Sequence, residues 1–332
     1  MTGREIVKRN IYFTRPPRIA YNFDCYDVPL DETYGDDMMW VGLTDKPLTD
    51  GKNEWGVEYV TLNGESFGEP KSYPLQGKDS LGDYAFPDYL EEWRYEGLKK
   101  SIAQNHDDKY VLMILPVGIF QPFIDFFGFE DFMINMGENT LLIEQVADKL
   151  CEFDMDIVTK ATAYGVQGII TMDDAGLQDR YMISMEMFRE VFKPRFKRLY
   201  DHCRSLSVDT FIHTCGYTLD ILDELIDAGC QVINLDQQDN MGIEELSRRY
   251  RGKVCFYCPI DIQRSVHETP ERIEQRVKQM IDLFSTEKGG FIAKTYPQPK
   301  AVGMTGEYLK LVTDAFKKYG NLEGQARHYF YF

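Results

Sequence analysis

A histidine and a cysteine stand one residue apart in the segment FIHTCG, at His213 and Cys215, where an apolar run ends. A neutral imidazole and a thiolate are good zinc ligands, and side chains two apart on a strand share a face. A zinc site takes at least a third ligand from the protein. On spacing alone the pair reads equally well as a hydrogen-bonded core histidine beside a small buried thiol. Other chemically capable groups also follow apolar runs. Asp173, Asp174 and Gln178 come after GIITM, Asp236, Gln237 and Gln238 after QVINL, and Lys294 and Tyr296 close GGFIAKTY. One carboxylate of the Asp173 and Asp174 pair is expected to cap a helix or bind a backbone N–H, and the other to face a cavity as acceptor or general base. Cys255 and Cys258 form a CxxC, but strand positions three apart face opposite sides, so Cys258, nearer the strand end, is the candidate ligand and Cys255 a core residue.

Such groups act together only on a scaffold that gathers several strand ends. From about residue 109 onward, short β-branched runs alternate with longer segments whose apolar residues recur every three or four positions. The runs cover 109–118, 168–175, 208–216, 231–238, 253–261 and 289–297. With PPRIAYNF as an opening strand the count reaches seven, and an eighth is expected near MMWVGL or NEWGVEYVTL. The pattern predicts an α/β fold, a single (β/α)8 TIM-type barrel over residues 1–332 with an N-terminal excursion at 31–105, ahead of an open doubly wound sheet. No glycine-rich phosphate fingerprint follows a strand, which weakens a dinucleotide-binding fold. In a barrel of this kind the C-terminal strand ends surround the active site. Leaving one buried polar group unpaired costs about 1–3 kcal/mol, so acids and amides gathered at five strand ends point to a functional cavity.

Composition narrows the partners. Of 332 residues, 43% are hydrophobic and 14% aromatic, enough for a sizeable core, and no run reaches the ~20 apolar residues of a membrane span. The opening MTGREIVKRN lacks the apolar stretch of a secretory signal, so a cytoplasmic protein is expected. A formal net charge of −17 opposes nucleic acid and polycarboxylate ligands alike. The seven scattered cysteines read as thiols rather than as a disulfide framework. Neither nucleic acid nor a membrane is an expected partner, and the surface is compatible with a monomer or a homodimer.

The segments MDDAGLQDRYMIS, FREVFKPRFKRLYD, HTCG, INLDQQDNMG, KVCFYCPIDIQ and GGFIAKTYPQP, in this order and spacing, resemble the uroporphyrinogen decarboxylase family. They are more closely similar to its corrinoid-dependent methyltransferase branch, as is NEWGVEYV, and the resemblance runs from about Arg15 to about Lys318. In the decarboxylases, N-terminal arginines meet the substrate carboxylates and a late histidine lies in Gly-His-Gly. Here Arg15 and Arg18 stand in RPPR without an Arg-rich opening, and KTYPQP replaces Gly-His-Gly, which disfavours that activity. In the methyltransferases, a His-x-Cys and a later cysteine hold zinc. His213 and Cys215 match the first two positions, while the later segment offers Lys294 and Tyr296.

The resemblance therefore implies zinc at His213 and Cys215, with Cys258, Asp236 or another cavity residue closing the shell. It also implies methyl transfer between a small methylated or methoxylated substrate and a corrinoid supplied by a partner protein. Zinc would polarise the leaving atom; without it, Tyr296, Lys294 or a protonated member of the Asp173 and Asp174 pair would donate the proton. Gln178, Asp236 and Gln238 are candidate substrate contacts. Phe120 and Phe127, in VGIFQPFIDFFGFEDFM, are expected to be exposed on an apolar rim that admits the corrin. A decarboxylase, or a non-catalytic module that binds a ligand or a corrinoid protein, stands as the alternative.

Overall fold

The computed structural model describes residues 1–24, 35–60 and 69–323. Its strands are β1 Ala20–Asn22, β2 Met38–Val41, β3 Glu58–Val60, β4 Glu69–Ser72 and β5 Tyr110–Ile114, followed by β6 Gly168–Met172, β7 Asp209–His213, β8 Val232–Asn234, β9 Cys255–Cys258 and β10 Phe291–Lys294. Eight of them form one parallel sheet in the order β1-β10-β9-β8-β7-β6-β5-β2. From β5 onward each barrel strand pairs with the barrel strand before it in the chain, as short, uncrossed connections favour. At the seam between β1 and β2, the Asp37 N–H donates to the Tyr21 carbonyl at 2.9 Å, and the Asp37 carboxylate accepts the Tyr21 N–H at 2.8 Å. Arg18 holds that buried carboxylate through two bonds of 2.6 and 2.8 Å. The fold is thus the expected (β/α)8 barrel.

Of the two segments expected to hide the eighth strand, MMWVGL enters the barrel as β2. NEWGVEYV instead supplies β3, which pairs antiparallel with β4 in a separate two-stranded sheet. The excursion is anchored by Arg94, whose fully buried guanidinium forms an ion pair with Glu54 and donates to the carbonyls of Thr44 and Asp88. Bidentate pairing and carbonyl acceptors satisfy a charge that could not otherwise be buried.

Inside the barrel, Tyr110, Leu112, Ile170, Phe211, Val232, Cys255, Tyr257 and Ile292 pack together, and the amphipathic helix Gly3–Ile11 closes the N-terminal end with Ile6, Val7 and Ile11. A polar plug sits at the same end. The buried Asp209 carboxylate accepts from the Tyr110 hydroxyl at 2.7 Å and pairs with Lys8 at 2.8 Å, and Tyr12 also donates to it. With that end sealed, the C-terminal ends of the strands are left as the mouth.

The aromatic run after β5 does not form the expected rim. Phe120 and Phe127 are 1% and 0% exposed. The helix Gln121–Phe127 turns Phe123, Phe126 and Phe127 inward, and the Phe120 ring packs at a tilt 4.9 Å from that of Phe192 within the layer between sheet and helices. Burial of these rings contributes more than any rim contact would, since each removes a large apolar area from water.

Candidate metal-binding active site

The last inward-facing residue of each barrel strand lines the mouth: Asn22, Trp40, Ile114, Met172, His213, Asn234, Tyr257 and Lys294. Trp40, Ile114 and Met172 are half-buried and make one side apolar. The other five, contributed by β7 to β10 and β1, are polar and form one hydrogen-bond network.

Asn234 organises it. Its Nδ2 donates to Asp236 Oδ1 and to the Tyr257 carbonyl, both at 2.8 Å, which fixes the amide orientation because neither partner can donate in return. Its Oδ1 therefore faces Lys294 Nζ at 3.1 Å and His213 Nδ1 at 2.9 Å. A neutral His213 must then carry its proton on Nδ1 and present the Nε2 lone pair, the arrangement a metal-binding imidazole needs. Lys294 and Asp236, 2% and 1% exposed, form an ion pair at 3.2 Å. Burial pushes the Asp236 carboxyl up, but Lys294, then His213 and Asn234, outweigh it and hold the group below its ordinary range.

His213 Nε2 lies 3.4 Å from Cys215 Sγ and 3.4 Å from Asp174 Oδ1, and the three ligand atoms all fall within 4.8 Å of one another. Tetrahedral zinc with ordinary bond lengths would place nitrogen about 3.6 Å from sulfur and about 3.4 Å from oxygen. The donor set and both spacings about His213 thus fit zinc, which would have three protein ligands here and one position left open. Burial, with Asp174 and Asp236 next, pushes the Cys215 thiol well up, so the bare site holds a protonated thiol and metal uptake would release that proton.

The loops after β6 and β7 create this cluster by crossing at two glycines. A Cβ on Gly216, whose φ is +76°, would sit 2.2 Å from the Gly176 carbonyl oxygen, and one on Gly176 would sit 2.5 Å from that of Cys215. Only glycine permits that approach. The Cys215 N–H then donates to Asp174 Oδ1 at 2.8 Å, drawing ligand and carboxylate together.

The structure corrects one sequence-based expectation and decides another that was open. Cys258 lies in the outer core with Phe256 rather than in the mouth, because it follows the inward-facing Tyr257 by one residue. It is not part of the cluster that could hold a metal, whose third member is Asp174. Asp173, 2% exposed, faces the helix layer instead of the mouth. Its Oδ1 accepts from the backbone N–H groups of Ile119, Phe120 and Gln121 at 2.9, 2.5 and 3.1 Å, so it caps the start of the helix Gln121–Phe127.

The remaining candidates divide. Tyr296 is half-buried near Asp236, Cys215 and Asp174, and burial, then those charges, pushes its phenol up to about 12. Gln238 is buried and donates to the Pro259 carbonyl at 2.7 Å, away from the cluster. Gln178 is exposed and accepts from Asn240 at 3.4 Å. Sequence reasoning missed Asn22, Trp40, Asn234 and Tyr257. Their positions at inward-facing strand ends were the available signal.

Beneath Asp173 lies Asp154 of the helix Thr140–Thr162, fully buried, with no well-formed hydrogen bond to either carboxylate oxygen among the described residues. Burial, with Asp173 next, pushes its carboxyl well up, opposed only by the Gly118 backbone N–H. A folded-state value above the unfolded one means that stability is complete below the unfolded value and falls as pH rises through the folded one. Asp154→Asn mimics the protonated acid and is expected to stabilise the protein by about 1–3 kcal/mol, with the larger gain at alkaline pH. Denaturant unfolding of both proteins at pH 6 and pH 9 checks this, and a destabilised variant would contradict it.

A closed parallel barrel with a converging ligand set at its C-terminal mouth defines the chain as a barrel of the enzyme-bearing type. The family model described as uroporphyrinogen decarboxylase (URO-D) matches residues 118–295, more than half of the chain, and the chain belongs to that family. Among solved structures, a methyltransferase from Methanosarcina mazei is similar at 17% identity over 80% of this chain and 76% of that one, with a TM-score of 0.63, so the two share a fold. Looser similarity extends to a xylose isomerase-like TIM barrel protein from Mycobacterium smegmatis in complex with magnesium, at 11% identity, 68% and 80% coverage and a TM-score of 0.39. It also extends to a D-psicose 3-epimerase in the presence of D-fructose, at 9% identity, 66% and 82% coverage and 0.42. No curated protein sequence matches the chain. Among the described residues, no helix is long and apolar enough to cross a membrane.

Proposed function

We propose that the protein is a methyltransferase that moves a methyl group between a small methylated substrate and a corrinoid carried by a partner protein, using zinc held by Asp174, His213 and Cys215. The observation that carries this reading is the convergence of imidazole, thiol and carboxylate within 4.8 Å beside an apolar wall. When a methyl group leaves as a carbon electrophile, its former heteroatom keeps the bonding pair and needs a Lewis acid or a proton. The chemistry zinc supplies when bound is Lewis-acid polarisation of that heteroatom.

The chain's own residues do the rest. Asn234 holds the imidazole in one tautomer and orientation. Trp40, Ile114 and Met172 offer the substrate an apolar surface that excludes water. The Tyr296 phenol stays protonated at neutral pH and can hold a proton for the departing atom. Asp174, with a side chain 48% exposed, keeps the ligand cluster reachable from solvent.

Two measurements on the purified protein test the proposal. Elemental analysis is expected to give about one zinc per chain, as a three-ligand site requires. Conversion of cob(I)alamin to methylcobalamin, followed by absorbance, is expected with at least one compound from a panel of methoxy, methylthio and methylamino donors. A metal-free protein inert toward the whole panel would favour the ligand-binding module, and turnover of uroporphyrinogen would favour the decarboxylase.

A further inference from the structure

Asn22, at the end of β1, is 3% exposed, and its Nδ2 has no hydrogen-bond partner among the described residues. Its orientation is nonetheless fixed. Oδ1 accepts from the Trp40 indole N–H at 2.9 Å and from the Tyr257 hydroxyl at 2.7 Å. An indole nitrogen only donates, so flipping the amide would set donor against donor. Two neighbours thus clamp the oxygen of this side chain while its N–H donors lie idle inside the barrel, a state that ordinarily costs about 1–3 kcal/mol.

A second donor stands beside it. Asn22 and Lys294 are register partners on the paired strands β1 and β10, and both point inward. Lys294 Nζ bonds to Asn234 Oδ1 and Asp236 Oδ1, which occupies two of its three N–H groups. It lies 5.2 Å from the ring centre of Tyr257 and 6.0 Å from that of Trp40, the two residues that clamp Asn22. One corner of the mouth therefore holds an orphaned amide donor and an ammonium with a donor to spare. It is separated from His213 by a single shared acceptor, Asn234 Oδ1.

We propose that Asn22 Nδ2 and Lys294 Nζ form an oxygen-binding corner, and that the substrate carries a carbonyl or carboxylate oxygen that docks there a few bonds from its methyl-bearing atom. The inference rests on the methyltransferase reading for the words "methyl-bearing", but the corner itself is a binding site and is tested by binding alone. The chemistry is acceptance of hydrogen bonds by one sp² oxygen. Because Asp236 already balances the Lys294 charge, a neutral amide and a carboxylate both qualify, and the probes separate them.

Isothermal titration of the purified protein with 4-methoxybenzoate, 4-methoxybenzamide and methoxybenzene supplies the test. At least one oxygenated probe is expected to bind about tenfold or more tighter than methoxybenzene, equivalent to one well-made hydrogen bond to a buried donor. Asn22→Asp keeps both bonds accepted from Trp40 and Tyr257 but loses the donor, and Asn22→Ala removes the group altogether. In each variant the preference should collapse to about onefold. An unchanged preference in Asn22→Asp, or oxygenated probes binding the parent no better than methoxybenzene, would overturn the proposal. The cob(I)alamin assay judges the methyltransferase reading separately.

Discussion

His213→Ala is expected to abolish stoichiometric zinc binding and to lower methyl transfer by about 10²- to 10⁴-fold, the range associated with losing the group that assists departure of a leaving atom. The substitution takes the central member from the cluster, since both 3.4 Å contacts run through His213 Nε2. A thiol pushed up by burial and a half-exposed carboxylate are left, and neither holds a metal tightly in isolation. Elemental analysis after dialysis reads the first effect and the cob(I)alamin assay the second. Full zinc occupancy in the variant would show that the metal is held elsewhere. Undiminished transfer by a zinc-free variant would move the burden of leaving-group assistance to Tyr296 or Lys294.

The second large effect concerns stability. Lys294→Met is expected to cost about 3–5 kcal/mol at neutral pH, because it strands the buried Asp236 carboxylate without its cation. The pH dependence carries a sign. In the parent protein the Asp236 carboxyl sits below its ordinary range, so its contribution is present above the unfolded value and is lost as pH falls through the folded one. In the variant the carboxyl moves upward and protonates more easily, so the deficit relative to the parent should shrink on acidification. Denaturant midpoints at pH 7 and pH 5 measure both effects. The double variant Lys294→Met with Asp236→Asn should recover much of the loss. A single-variant cost under about 1 kcal/mol would mean that water reaches the pair and screens it.

The ligand cluster shows where reading a chain of this kind stops. His213 and Cys215 were legible as a pair because extended residues two apart share a face, even though Cys215 lies just past the end of β7. Asp174 was legible as a cavity group but not as a ligand. Its closeness to Cys215 depends on two loops crossing at Gly176 and Gly216, whose sequence positions are 40 apart. The assignment of Cys258 failed over phase. A parallel barrel strand is buried on both faces, so CFYC carries no alternation of polar and apolar residues to say which side chains look inward. The same ambiguity hid Asn234 and Tyr257, and it left open which of Asp173 and Asp174 would cap a helix. In the structure the inward phase of β6 continues past Met172, so Asp174 faces the mouth and Asp173 the helices.

Local pattern alone determined that this chain alternates strands and helices, that its barrel strands are parallel and buried, and that polar groups gather after them. Those properties follow from periodicity and residue type, which act over a few neighbouring positions. Tertiary structure decided which face of each strand looks inward, how Asn234 orients His213, why Phe120 and Phe127 are covered, and which carboxylate joins the imidazole and the thiol. Each of those outcomes depends on strand register and loop crossing, where residues distant in sequence meet at hydrogen-bonding distance and the strengths of their mutual contacts settle the arrangement.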